Sequence, residues 1–176
     1  MKIVELPPHW RDRAMIISAV ADPESWFSAE EIAPLTRPKR RREWMLSRIA
    51  EKELRQRGAS GGCVSFSHSG SYGAAAVSAQ PIGIDVETLR EISESAAHHF
   101  LSDEEIESML LCTIAHRMLH FWSAKEAAWK RLGGSMPTLK KVPLRLEDQT
   151  PNGLRFDGVE TFAVNDLVAA LTLPTS

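Results

Sequence analysis

The segment Ile-Gly-Ile-Asp-Val-Glu at positions 82–87 has the alternation of a β-strand and is the first guide to the fold. Successive side chains of a strand point to opposite faces, so the apolar residues share one face and Asp85 and Glu87 share the other. Two carboxylates at that spacing repel each other, and a hard divalent cation would remove the repulsion. A half-exposed strand with a solvated acidic face explains the pattern equally well, so a metal site requires a third ligand.

On either side of this strand, the sequence shows groups of helical patterns and groups of extended patterns. Regular alternation of strands and helices, which is typical of a parallel sheet, is not seen, and the order therefore predicts an α+β fold. Helices are predicted over residues 38–57, from about Ser93, from Ser102 with its capping partner Glu105, and over residues 113–132. Strands are predicted over residues 63–67, 72–79, 82–87, 142–146, 153–156 and 159–173.

A candidate third ligand lies on the predicted helix over residues 113–132. Apolar side chains recur there at three- and four-residue spacings, and Lys125 and Glu126 interrupt this stripe. Charged groups at core-facing positions are costly unless they are paired or bound to an ion. The interruption is therefore explained either by a functional site or by a buried structural ion pair. Lys130 lies one turn after Glu126 and could pair with it.

A third feature is the segment Ser-Phe-Ser-His-Ser-Gly at positions 65–70, a strand end that opens into a turn. Hydroxyls, backbone amides and an imidazole together suit a phosphate group. An ordinary exposed histidine accounts for His68 as well. The segment lacks the strand-to-helix elbow of a serine hydrolase.

Composition limits the class of protein. With 176 residues, 43% apolar residues and 25% charged residues, the chain has the composition of a globular protein, and we expect one unit with approximate lobes at residues 1–80 and 81–176. The net charge of −2 gives no reason to expect nucleic-acid binding, although a basic run occupies residues 37–42. Two widely spaced cysteines argue against a zinc site. Without a leader or membrane-spanning pattern we expect a cytoplasmic protein.

Taken together, the three segments resemble the 4′-phosphopantetheinyl transferase superfamily, specifically the surfactin-synthetase-activating type. The turn Ser-His-Ser at positions 67–69 matches the family's pattern, as does the strand Gly-Ile-Asp-Val-Glu at positions 83–87. Its third pattern is matched by Trp-Ser-Ala-Lys-Glu-Ala-Ala-Trp-Lys at positions 122–130. The helix that begins near residue 38 is similar to the basic helix that precedes the turn in this family. The resemblance covers roughly residues 37–132.

This resemblance implies a fold and a set of ligands. The fold is a pseudo-dimer of two similar α+β lobes, here with a shortened N-terminal lobe, and the site lies where the lobes meet. The co-substrate is coenzyme A, and Mg²⁺ would be held by Asp85, Glu87 and Glu126. The residues expected to contact coenzyme A are Ser67, His68, Asp85, Lys125, Arg48, Lys39, Arg40 and Arg41.

The implied reaction is attack by a serine hydroxyl of an apo acyl or peptidyl carrier protein on the β-phosphorus of coenzyme A, which releases 3′,5′-ADP. Glu126 would act as base, directly or through a metal-bound water, and Lys130 would neutralise the leaving phosphate. The basic helix, Arg48 in particular, would meet the 3′-phosphate. We expect a monomer that binds neither nucleic acid nor a membrane.

Two alternatives stay open. A degenerate transferase could bind carrier proteins without turnover, although such a protein has no need to keep three mutually repelling carboxylates. An unrelated Mg²⁺-dependent phosphotransferase would bind nucleotides that lack pantetheine, but the sequence contains no glycine-rich phosphate loop.

Overall fold

The computed structural model describes residues 1–173, which form five α-helices and nine β-strands. The helices are α1 (Ala29–Ile32), α2 (Pro38–Gln56), α3 (Glu94–Phe100), α4 (Asp103–Leu111) and α5 (Arg117–Arg131). The strands are β1 (Lys2–Ile3), β2 (Ala14–Ser18), β3 (Cys63–Ser69), β4 (Tyr72–Ser78), β5 (Ile84–Thr88), β6 (Leu146–Thr150), β7 (Gly153–Phe156), β8 (Val159–Val164) and β9 (Leu167–Thr172).

The strands form two antiparallel sheets. The first has the order β1-β2-β4-β3, and the second has the order β5-β9-β8-β7-β6. Helix α2 packs on the first sheet, where Leu46 and Ile49 meet Ile17 and Val77. Helix α5 packs on the second sheet, where the rings of Phe121 and Phe156 stack edge to face.

The other faces of the two sheets meet each other. Ile16 lies next to Ile17 on β2, and alternation along the strand turns it away from α2 into a core shared with Ile84 and Val86 of β5. The layers therefore run helix, sheet, sheet, helix. Burial of apolar surface between the sheets joins the first half of the chain to the second.

The same connectivity occurs in both halves. In the first, a strand (β2) is followed by a long helix (α2) and a hairpin (β3-β4), whose second strand inserts between the other two. In the second, β5, α5, β8 and β9 repeat this order, with β6 and β7 added at the edge. The predicted α+β fold is confirmed, and the repeat explains the resemblance to a pseudo-dimer. The division into lobes at residue 80 stays a prediction.

Several predicted elements differ from the structure. The predicted strand over residues 142–146 is wrong, because β6 begins at Leu146. Helix α5 begins later than expected because His116 has a left-handed backbone, with a φ of 53°. The expected strand over residues 159–173 is two strands, separated by a turn in which Asn165 has a φ of 54°. No helix among residues 1–173 has the length and apolar character needed to cross a membrane.

Close packing of α5 on the start of β5 requires a glycine. A Cβ atom at Gly83 would lie 1.9 Å from the carbonyl oxygen of Ala127, well inside van der Waals contact. Without that side chain, the α5 backbone approaches β5 directly. The residues of α5 around Glu126 are thereby brought to the acidic face of the strand.

Candidate active site

The acidic face of β5 is turned toward α5. Ile84 and Val86 lie in the core between the sheets, and Asp85 and Glu87 point to the opposite side, as the sequence alternation predicts. Asp85 is only 4% exposed and Glu87 is partly buried. The two carboxylates therefore lie at the junction of β5, α5 and β3 rather than in open solvent.

The free edge of β5 is covered by serine hydroxyls. Because β5 pairs with β9 on one side only, the N–H groups of alternate residues point outward along its other edge. Three alternate serines of β3 accept hydrogen bonds from these groups. The pairs are Ser65 Oγ with the N–H of Ile84 at 3.1 Å, Ser67 Oγ with that of Val86 at 3.2 Å, and Ser69 Oγ with that of Thr88 at 3.0 Å.

Asp85 is held by three donors. Its Oδ1 accepts hydrogen bonds from Ser67 Oγ at 2.9 Å and from Lys130 Nζ at 2.8 Å, and its Oδ2 accepts one from Ser123 Oγ at 2.9 Å. A buried carboxylate needs such partners to remain ionised. Asp85 thus connects β3, β5 and α5 at one point.

Glu87 is held by a second set of donors. Its Oε1 accepts a hydrogen bond from Trp122 Nε1 at 2.9 Å, and its Oε2 accepts one from Arg90 Nη1 at 2.8 Å. Ser69 Oγ also donates to Oε2 at 3.2 Å. The carboxylate is therefore fixed in orientation although it remains partly open to solvent.

Glu126 faces the same two carboxylates from α5. Burial raises the pKa of its carboxyl group above the ordinary value, and the negative charges of Asp85 and Glu87 raise it further, while Lys130 opposes this rise. The charges of Asp85 and Glu87 therefore act on Glu126 and increase its proton affinity.

The donor set suits a hard divalent cation. Three carboxylates that repel each other supply the oxygen ligands that Mg²⁺ prefers and leave positions for other oxygens. Within residues 1–173, however, no three His, Cys, Asp or Glu side chains lie close enough together to form a ready metal site. Lys130 and Arg90 pair with two of the carboxylates instead. Metal binding by Asp85, Glu87 and Glu126 stays a prediction.

Ser67 does not face an open phosphate position as the sequence suggested. Its hydroxyl donates to Asp85 and accepts from the N–H of Val86 and from Lys130 Nζ, which lies 3.2 Å away. One donor and two acceptor positions are all that a hydroxyl has. Ser67 is only 6% exposed and its hydrogen-bonding capacity is already used.

Lys125 likewise faces away from the acidic face of β5, and its expected contact with a phosphate stays a prediction. Its side chain is fully buried, and its Nζ donates to Glu105 Oε1 at 2.6 Å and to the carbonyl of Val142. Neighbouring residues of a helix point about 100° apart, so Lys125 and Glu126 face different surroundings. Burial lowers the pKa of Lys125, and the hydrogen bond to Glu105 opposes the change. The structural ion pair considered from the sequence is the arrangement that the structure shows.

The residues of the basic helix are spread along α2. The guanidinium of Arg48 lies 3.5 Å from the centroid of the Phe66 ring on β3. His68 lies in β3 rather than in the predicted turn, is about half exposed, and has its Nε2 3.8 Å from a carboxylate oxygen of Glu43 on α2. Arg48 and His68 are therefore brought together on one side of the molecule.

Near the start of α2, about two turns before Arg48, lie Lys39, Arg40 and Arg41. Lys39 and Arg40 are exposed, whereas Arg41 forms an ion pair of 3.0 Å with Glu24. A cavity of about 480 Å³ opens beside this end of α2. Its lining residues include Thr36, Arg41 and Arg42. The cavity gives this part of the basic helix a concave surface next to cationic side chains.

Sequence reasoning missed four side chains that hold the carboxylates. They are Ser69, Arg90, Trp122 and Ser123. The spacing of two between the serines of β3 was a usable signal, because it places all three hydroxyls on one face. The partner of Ser123 could not be inferred, since it depends on how closely α5 approaches β5.

Comparisons with known proteins assign the chain to a family. The family model described as the 4′-phosphopantetheinyl transferase superfamily matches residues 81–171, just over half of the 176 residues. The curated protein "4′-phosphopantetheinyl transferase psf-1" of Bacillus pumilus is 38% identical over 95 residues, which cover 51% of this chain and 40% of that protein. The chain therefore matches well under half of the length of that relative.

Among solved structures, holo-(acyl-carrier-protein) synthase from Thermotoga maritima superposes with a TM-score of 0.40. It is 18% identical, and the superposition covers 52% of this chain and 60% of that one.

Proposed function

Because the chain belongs to the 4′-phosphopantetheinyl transferase superfamily, we propose that it transfers 4′-phosphopantetheine from coenzyme A to a serine of an apo acyl or peptidyl carrier protein. The products would be the holo carrier and 3′,5′-ADP. The observation that carries the proposal is the acidic face of β5, where Asp85 and Glu87 accept hydrogen bonds from Ser123 and Trp122 of α5, the helix that also bears Glu126. These residues come from the strand and the helix that the family model covers.

The proposed metal ligands are these three carboxylates. When bound, Mg²⁺ would draw electron density from the diphosphate of coenzyme A and stabilise the charge that develops on the leaving group. When the cation binds, Lys130 would give up its bond to Asp85, and Arg90 would give up its bond to Glu87. Lys130 Nζ, which already lies at this junction, is placed to neutralise a phosphate oxygen.

Glu126 is the proposed base for the serine hydroxyl. A proton acceptor works best when its pKa lies near the working pH, and the surroundings of Glu126 raise its pKa in that direction. Asp85 is less suitable for this role because its oxygens accept hydrogen bonds from Ser67, Ser123 and Lys130. Glu126 therefore combines a position facing Asp85 and Glu87 with a raised proton affinity.

The nucleotide end of coenzyme A is proposed to lie along α2 and the Ser-His-Ser turn. Arg48 and His68 converge there, and the cavity beside Arg41 adds cationic surface for a phosphate. Since Lys125 is buried and Ser67 is fully bonded, the phosphate contacts would come from these side chains instead.

Carrier docking is proposed near the start of α5. Carrier proteins are typically acidic around their serine, and a cavity of about 300 Å³ in this region is lined by both basic and apolar side chains, including Arg90, Arg117 and Ile114. Leu111, at the end of the neighbouring helix α4, is 83% exposed. Phe100 and Met109 of the neighbouring helices α3 and α4 belong to the core and do not contribute to this surface.

A chromatographic assay tests this function. Purified protein, Mg²⁺ and coenzyme A are incubated with a set of apo-carriers, and 3′,5′-ADP is measured. We expect 3′,5′-ADP only when coenzyme A and a carrier with its serine intact are both present. Binding of carrier without release of 3′,5′-ADP would favour a non-catalytic binding module instead.

A further inference from the structure

Two of the β3 serines have a second bond that the third lacks. Ser67 Oγ donates to Asp85, and Ser69 Oγ donates to Glu87. Each of these hydroxyls therefore accepts from a backbone N–H 19 positions later and donates to the carboxylate 18 positions later. Ser65 makes the same backbone bond to Ile84, but the residue 18 positions after it is glycine.

In Ser67 this double bonding fixes the direction of the hydroxyl proton, and Ser69 makes the same two bonds with the Thr88 hydroxyl as a further neighbour at 3.2 Å. A serine hydroxyl has a single proton to donate. The backbone N–H donates to a lone pair on one side of the oxygen, so the proton is directed to another side. The proton then points at the carboxylate, and the carboxylate loses rotational freedom. Because the serines belong to β3, the first sheet contributes to the orientation of both carboxylates, although these belong to the second sheet.

We infer that Ser67 and Ser69 are positioning residues that hold Asp85 and Glu87 in the orientation needed to bind a divalent cation. The inference rests on the proposed metal ligands. Groups that hydrogen-bond to metal ligands orient them, and their loss weakens metal binding. His68 lies between these serines on β3, so the strand that would contact coenzyme A is also the strand that orients the carboxylates.

Three alanine variants separate orientation from general packing. Ser67→Ala and Ser69→Ala each remove one backbone bond and one carboxylate bond, and they also remove the contact with Lys130 and with Thr88, respectively. Ser65→Ala is the matched control, because it removes the same kind of backbone bond from the same strand without touching a carboxylate. Ser69→Thr keeps the hydroxyl on a side chain that suits a strand.

The direct measurement is Mn²⁺ affinity, obtained by titration with electron paramagnetic resonance and needing no turnover. We expect Ser67→Ala and Ser69→Ala to bind Mn²⁺ about tenfold more weakly than the unmodified protein. Ser65→Ala and Ser69→Thr should retain its affinity. Thermal unfolding should show the smallest destabilisation in Ser65→Ala, because all three alanine variants lose one backbone hydrogen bond and the other two also lose a bond to a carboxylate.

An equal loss of Mn²⁺ affinity in Ser65→Ala and Ser69→Ala would overturn the inference. The loss of a backbone hydrogen bond between β3 and β5 would then explain the weaker binding in both variants. Failure of the unmodified protein to bind Mn²⁺ would overturn it as well. If Ser67→Ala does not fold, the half-buried Ser69 decides the outcome. The variants could show the expected differences in Mn²⁺ affinity while the unmodified protein transfers no phosphopantetheine. That result would contradict the proposed function but not the inference about Ser67 and Ser69.

Discussion

Lys130 Nζ lies 2.8 Å from Asp85 Oδ1, so a cation supplied by α5 already occupies the acidic face of β5. Asp85 is buried, whereas the side chain of Lys130 is 22% exposed and can reach solvent. The ammonium group thus offsets part of the repulsion among the three carboxylates when no metal is bound. It also gives the site a cation that could turn to a phosphate once a metal takes over its carboxylate.

Replacing this cation should make the protein more dependent on Mg²⁺. Lys130→Met leaves Asp85 with two neutral donors, and we expect a loss of about 2–3 kcal/mol in the free energy of unfolding without metal. Added Mg²⁺ should then raise the melting temperature of Lys130→Met more than that of the unmodified protein. Thermal unfolding with and without Mg²⁺ measures both effects. Equal shifts in the two proteins would argue against a shared site for Lys130 and the metal.

Glu126→Gln should abolish transfer while the protein stays folded. The carboxylate is the proposed base and a proposed metal ligand, and glutamine keeps its size without its charge. Transfer is measured by intact mass, and folding by circular dichroism. Glu107→Gln, at an exposed position of α4, is the matched control and should transfer normally. Near-normal turnover of Glu126→Gln would remove Glu126 from its proposed role.

We expect the stability difference between Glu126→Gln and the unmodified protein to depend on pH. Because the pKa of Glu126 is raised in the folded protein, the folded state binds more protons than the unfolded state between the ordinary value of 4.5 and the raised value. The contribution of Glu126 to stability is therefore present below pH 4.5 and is lost as the pH rises through the raised pKa. In EDTA, Glu126→Gln should gain stability relative to the unmodified protein as the pH increases to 7. A difference that stays constant with pH would contradict this assignment.

Removing Lys125 should destabilise the fold. Glu105 is buried, and its Oε1 bonds to Lys125 and to the N–H of Leu144. Lys125→Met leaves this carboxylate without its cation, and we expect a loss of about 3 kcal/mol in the free energy of unfolding, measured with urea. Lys141→Met, at an exposed position, should change stability little. A loss as small as that of Lys141→Met would mean that the pair has no structural importance.

Arg48→Met should weaken the preference for coenzyme A over its dephospho form. The guanidinium lies against Phe66 near the turn, where the 3′-phosphate is proposed to bind. We expect the KM for coenzyme A to rise roughly tenfold, because a charge-assisted hydrogen bond of about 1.5 kcal/mol is lost, and the KM for dephospho-coenzyme A to change little. Arg55→Met is the control, since Arg55 pairs with the same Glu51 further along α2. Equal changes in both KM values would contradict a contact with the 3′-phosphate.

The sequence predicted those parts of the fold that depend on local patterns. The alternation in β5 correctly placed Asp85 and Glu87 together, and Ser102 with Glu105 correctly marked the start of α4. Strand β2 was missed because all of its residues are buried, which removes the apolar–polar alternation that signals a strand.

Features that depend on packing between distant segments could not be predicted. A stripe of apolar residues placed Lys125 and Glu126 on the same helix face, but only the position of α4 shows that Lys125 turns toward Glu105. The hydrogen-bond partners of Ser67 could not be predicted for a similar reason. Its partners come from β5 and α5, which lie beside it only in the folded protein.

The most direct test of the account is the intact mass of apo-carriers after incubation with the purified protein, Mg²⁺ and coenzyme A. We expect the mass of at least one carrier to increase by one phosphopantetheine group. This increase should require coenzyme A, and it should be absent in EDTA and when the carrier serine is replaced by alanine. Unchanged masses of all carriers, under conditions in which a known transferase modifies them, would contradict the proposed function.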